Sequence, residues 1–137
     1  MGIKEIAGNF LLASYVVTNV YVGIMGIQPL VRKFSQKIES QTHLVGLLET
    51  EKEKQNCNKP VFAILNHEHS GGLSGKLKTE KGYLVSLGLD AHDLGDLEHE
   101  VFHICSGTVD RGYKSWRFYL FDEPAATLYS LRSLLER

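Results

Sequence analysis

The stretch Leu97-Glu98-His99-Glu100-Val101-Phe102-His103 carries the pattern His-Glu-x-x-His. Residues four apart lie about one turn apart on the same face of a helix, so His99 and His103 can offer two imidazoles to one metal ion. Glu100 follows the first of them and can hold and deprotonate a metal-bound water. Those residue types at that spacing are the parts of a metal-assisted hydrolysis.

The chemistry needs a helix there, and the flanking residues supply one. Leu94, Leu97, Val101 and Ile104 recur at helical spacing and form an apolar stripe for a core. His92, Asp96, His99 and His103 form a second stripe. Asp90 or Asp93 can cap the start, and Gly107 lies just past the end. Upstream, Val61–Leu65 reads as a short strand buried on both faces, followed by a turn over Asn66–Gly72. His67 and His69 in that turn lack a third ligand nearby and read as loop histidines. Leu73–Lys81 is polar and glycine-punctuated, suited to a hairpin connection or mobile loop, and Gly82–Leu89 reads as a second strand. A strand leading through a short turn into a metal helix can build a cleft with substrate along the strand edge.

Outside this unit, Arg32–Lys54 reads as one helix with a thin apolar stripe of Phe34, Ile38, Val45 and Leu48. Gln55–Lys59 is a loop stopped by Pro60. Thr108–Gly112 reads as a loop, and Tyr113–Phe121 as an extra strand or irregular cover whose Trp116, Phe118, Tyr119 and Phe121 belong to the core. Asp122-Glu123-Pro124 starts a last helix, with Pro124 in the first turn where its missing N–H costs nothing. Leu128, Leu131, Leu134 and Leu135 give that helix its apolar face. The expected fold class is α+β.

The chain has 137 residues, enough for one domain with a modest core. With 15 basic and 16 acidic residues and a net charge of −1, it gives no reason to expect a nucleic-acid partner. Cys57 and Cys105 are too few for a disulfide framework; Cys105 reads as a small buried apolar residue, and a reduced, intracellular setting fits. Residues 10–31 hold no charged side chain and are followed by Arg32, Lys33 and Lys37. That segment is long enough to span a bilayer, though Gly23, Gly26 and Pro29 interrupt it, and the other readings are a buried helix or strand pair packing on the domain and a hydrophobic segment for self-association. By the positive-inside rule the rest of the chain would face the cytoplasm, either anchored to the membrane or free of it. A secretory signal fits less well, because Lys4 and Glu5 give the start no net positive charge. The chain therefore divides into residues 1–31 and residues 32–137.

A catalytic zinc site takes three protein ligands and leaves one open position. A third His six residues after His103 is excluded, because Val109 stands there. Glu123 lies 20 residues past His103 (123 − 103), at the head of the last helix, with the small Ala126 one turn on. His99-Glu100-x-x-His103 followed by Glu123-x-x-Ala126 resembles the gluzincin metallopeptidases, above all the minigluzincins and the ImmA/IrrE-type metallopeptidases. The resemblance covers roughly residues 60–135. It implies a minimal zincin-like domain: a small sheet packed on the metal helix and the C-terminal helix. It further implies Zn²⁺ held by His99, His103 and Glu123; Pro124 beside the third ligand departs from the family pattern and keeps Asp122 as its substitute. Glu100 would be the general base for hydrolysis of a peptide or protein substrate. Tyr113, Tyr119 and Tyr129 are candidates for stabilising the transition state, and Asp96 for orienting the imidazoles. The alternatives are a zinc-binding regulatory or interaction module without hydrolysis, and a metal-free small α+β protein in which the motif arose by chance.

Overall fold

The computed structural model describes residues 3–77 and 81–137, with the backbone only for residues 3–8. The elements in order are α1 (Ile3–Met25), α2 (Gln28–Phe34), α3 (Gln41–Lys54), β1 (Val61–Leu65), β2 (Gly72–Lys76), β3 (Tyr83–Leu87), α4 (Leu94–Cys105), α5 (Thr108–Arg111), a π-helical turn (Phe118–Asp122) and α6 (Glu123–Leu135). The fold is α+β, with a mixed three-stranded sheet in the order β1-β3-β2. β3 runs parallel to β1, with Val61 opposite Tyr83 and Leu65 opposite Leu87, and antiparallel to β2, with Gly72 opposite Leu87 and Lys76 opposite Tyr83.

The core is built around α4. Its stripe of Leu94, Leu97, Val101 and Ile104 is buried, as the periodicity predicts, against Leu44 and Leu48 of α3 and against Val61, Ala63, Val85 and Leu87 of the sheet. Asp93 caps the helix, accepting the N–H of Asp96 at 3.0 Å, and Gly107 past its end has φ +82°, a conformation that glycine adopts without strain. The C-terminal end of α4 is tied down by Lys59, whose Nζ lies 2.6 Å from the Ile104 carbonyl and 2.7 Å from Asp110, a cation where the helix dipole favours one. α6 lies along α4 and buries Ala126, Thr127 and Ser130, and Ser130 Oγ donates to the Gly95 carbonyl at 3.1 Å. Small side chains line that contact; of the expected leucines, Leu131 and Leu134 are half-buried, whereas Leu128 is 43 % exposed and Leu135 77 %.

Several expected elements differ. The single helix over Arg32–Lys54 is two, because Gln36–Ile38 leaves helical geometry to pair with the strand-like segment before α4, Ile38 N–H donating to the His92 carbonyl and Leu94 N–H to that of Gln36. Ser40 then caps α3, accepting from the N–H of His43. β1 is buried on one face only, since Phe62 and Ile64 point outward. The segment read as a connection contains most of β2, one of the two edge strands of the sheet, and residues 78–80 lie outside the described residues. Thr108–Arg111 is a short helix rather than a loop. Trp116, Tyr119 and Phe121 are exposed rather than core; only Phe118 of that group is half-buried. The two cysteines are not free. Cys57 and Cys105 form a disulfide with Cα atoms 5.5 Å apart, which ties the loop after α3 to the end of α4.

Residues 9–34 include a helix long and apolar enough to cross a membrane, and its apolar window is exposed, although α1 also touches α6. α2 is different. Val31 and Gln28 are buried against α4 and α6, so the division at residue 31 falls inside a helix docked on the domain. A Cβ on Gly95 of α4 would lie 2.6 Å from Val31 and 2.7 Å from Ser35, so that docking depends on the glycine.

Candidate metal centre

α4 and α6 bring three ligand-type side chains to one point. Nε2 of His99 lies 3.1 Å from Nε2 of His103. One Glu123 oxygen lies 3.2 Å from His99 Nε2, and the other 2.9 Å from His103 Nε2. All the ligand atoms fall within 4.8 Å of one another, and this is the group among the described residues that could hold a metal ion. The sequence accounts for the convergence. The apolar stripe fixes which way α4 faces, the four-residue spacing stacks the imidazoles, and Ala126 lets α6 approach closely enough to present Glu123 from its first turn. Asp122 is not brought to the histidines; its carboxylate accepts from Arg111 at 2.9 Å.

The donor set suits a cation. Two buried imidazole nitrogens and one carboxylate converge with no protein proton donor among them sufficient to serve all three. Burial alone would push the Glu123 carboxyl up, but hydrogen bonds to His103 and His99 and their charges prevail and bring it down to about 2. For His99, burial works against the charged form, yet Glu123, Glu100 and Asp96 outweigh it and raise its pKa. Glu123 is therefore held as a carboxylate at this point, a partner for a cation as well as for the imidazoles.

The orienting partners expected for the imidazoles are absent. Nδ1 of His99 and of His103 are both buried without a hydrogen-bond partner among the described residues. Asp96 turns instead to α2, where it accepts from Gln28 at 3.0 Å and from Arg32 at 2.9 Å. It fixes the docked helix rather than a ring.

Glu100 sits on the side of α4 that meets the edge strand. Its Oε2 accepts from Ser74 Oγ of β2 at 2.6 Å, and Tyr113 donates its hydroxyl to the Ser74 carbonyl at 2.7 Å. Burial raises the pKa of Glu100, opposed by His99 and by the Ser74 hydrogen bond. Burial also pushes the Tyr113 hydroxyl up to about 12, against the hydrogen bond to Ser74, and the Glu100 and Glu123 charges push it further the same way. Tyr113 thus keeps its proton. Its ring packs edge-on to His103 with centroids 6.1 Å apart. Gly72, Ser74, Glu100, His103, Phe118 and Glu123 help line a cleft of about 260 Å³, with Tyr113 in its wall.

The other two tyrosines lie elsewhere. Tyr119 is exposed, packs against Phe118 and does not line the cleft. Tyr129 donates to Glu51 at 2.6 Å, near the buried Glu98, which pairs with Arg137 at 2.7 Å. His67 packs edge-on to His92, and His69 reaches Ser86 at 2.7 Å, so both remain loop side chains.

Ser74 and Gly72 are the residues sequence reasoning missed. They alternate on the face of β2 turned towards Glu100, but a Gly-Leu-Ser-Gly-Lys strand has no apolar alternation to reveal it. A Cβ on Gly72 would lie 2.7 Å from Glu100 Oε1 and 2.8 Å from its Cγ. Gly72→Ala should therefore move the carboxylate while leaving the fold nearly as stable, since the colliding atoms end a flexible side chain. If Glu100 serves hydrolysis, a displacement of that size should slow turnover about 100-fold. Turnover and urea unfolding measured on the same preparation check both halves; an unchanged rate would contradict the placement.

The chain matches no family model, no curated protein and no solved structure.

Proposed function

We propose that this chain is a small zinc metallopeptidase of the gluzincin kind that hydrolyses peptide bonds within a polypeptide substrate. The observation that carries the reading is the convergence of His99, His103 and Glu123 at one point, with the Glu100 carboxylate facing the adjoining cleft. A sheet, a helix bearing both histidines and a following helix bearing the glutamate stand in the order such a domain requires.

His99, His103 and Glu123 would hold the ion, and their two nitrogens and one oxygen suit zinc. Zinc held there would supply Lewis acidity towards a water and towards the scissile carbonyl. Glu100 is the group that moves the proton: one carboxylate oxygen is engaged by Ser74, which fixes the side chain, and the other is left to take a proton from the attacking water. The same carboxyl then returns that proton to the leaving amine nitrogen. Tyr113, held protonated beside the cleft, would stabilise the oxygen on which charge develops by turning its single O–H away from the Ser74 carbonyl that it now serves. The free edge of β2 offers backbone groups to an extended substrate, and Gly72 keeps that edge close to Glu100.

The test is cleavage of an unstructured protein such as casein by the full chain loaded with zinc. Peptide products should appear, cease when the metal is removed with 1,10-phenanthroline, and return when zinc is restored. No products from either casein or a mixed peptide pool, with zinc bound, would contradict the reading.

A further inference from the structure

The turn that closes the cleft has a second face. Phe118 lines the cleft, whereas Trp116, Tyr119, Leu120 and Phe121 point outward with between 45 % (Leu120) and 70 % (Trp116) of their surfaces exposed. A large apolar group left exposed on the rim of a site marks a contact surface. Leu120, Phe121 and Pro124 meet Val17, Val20 and Tyr21 of α1 across a groove of about 280 Å³. The exposed aromatic surface is therefore continuous with the exposed face of α1, where Val16, Val17, Val20 and Val22 are at least half uncovered.

Length decides what covers this surface. A hydrocarbon core of about 30 Å needs about 20 helical residues. Before the groove, the uncharged part of α1 is residues 6–15, ten residues or about 15 Å. A bilayer crossed by α1 must also contain much of the stretch from Val16 to Met25. The turn touches that stretch, so it is carried to the membrane surface with it. Its composition suits that layer: Trp and Tyr favour the headgroup region, Leu120 and Phe121 the acyl boundary. The exposed Lys114 and Arg117 beside it complement anionic headgroups.

We infer that Trp116, Tyr119, Leu120 and Phe121 seat in the interfacial layer of an anionic bilayer entered by α1, holding the mouth of the cleft against the membrane. On the hydrolase reading, which this consequence rests on, the substrates within reach are polypeptide segments that emerge from a membrane. The seating itself does not depend on hydrolysis.

Trp116 is the one tryptophan of the chain, so its fluorescence reports the contact directly. The full chain is reconstituted into vesicles of phosphatidylcholine and phosphatidylglycerol and floated on a density gradient. Trp116 emission should shift to the blue and be quenched by lipids brominated near the top of the acyl chain. The double variant Leu120→Glu, Phe121→Glu should still float through α1 but lose the shift and the quenching. Three results would overturn the inference: a chain that does not float, a floating chain with Trp116 emission unmoved and unquenched, or quenching that survives the double variant. A fourth is a blue shift without vesicles in a preparation of dimer mass, which would assign the surface to a second copy of the chain. Glu100→Gln should behave as the wild type here, so failure of the membrane contact and failure of hydrolysis are read separately.

Discussion

Glu100→Gln should lower the rate of peptide hydrolysis by about 10²–10⁴-fold, the range a positioned general base contributes. The substitution is nearly isosteric, and its amide oxygen can still accept from Ser74, which holds the present carboxylate at 2.6 Å. Glu100 is not among the three residues whose ligand atoms converge, so bound zinc should stay at the wild-type level. That pairing of outcomes separates a lost proton acceptor from a lost metal. A variant that cleaves as fast as the wild type would remove Glu100 from the mechanism. A variant that also loses its metal would mean that the carboxylate is needed for the site itself.

Cys57→Ser should cost about 4 kcal/mol of stability, the chain-entropy value for releasing a cross-link across 48 residues. The bond joins the loop after α3 to the last residue of α4, two positions beyond His103. Its loss therefore loosens the helix that carries both histidines. Urea unfolding should show the difference between oxidised wild type and the variant, and reduction of the wild type should reproduce it. Thiols that react fully with an alkylating reagent in the native wild type, with no change in stability on reduction, would contradict the bond. The same measurement bears on where the protein works, since a persistent disulfide points to an oxidising compartment.

What could be read from the sequence depended on how many independent constraints met at each residue. α4 was legible because three signals coincided: an apolar stripe, a capping aspartate and a terminal glycine. His99, Glu100 and His103 came with it. Glu123 is different: the sequence shows a helix start and a small residue one turn later, and only the resemblance to the gluzincins implies that this carboxylate meets the histidines. Other features had no such signal. β2 is made of Gly, Leu, Ser and Lys and owes its existence to pairing with β3, so Ser74 and Gly72 could not be placed beside Glu100. The break between α2 and α3 comes from backbone pairing of Gln36–Ile38 with residues 92–94, a tertiary contact that helical periodicity does not register. Trp116 and Phe121 are apolar yet exposed, because the rule that buried residues are apolar runs in one direction only. The opposite holds in α6, where Thr127 and Ser130 are buried and Leu135 is not. The cysteine pairing is a matter of distance in space, which spacing along the chain does not give.

The central claim is that His99, His103 and Glu123 together hold one metal ion. It is tested most directly by elemental analysis of the purified, dialysed chain beside His103→Ala, with circular dichroism to establish that the variant retains its helices. The account predicts about one zinc per chain in the wild type and none retained in the variant. A wild type that binds no metal when zinc is supplied, or a folded variant that retains it fully, would contradict the claim.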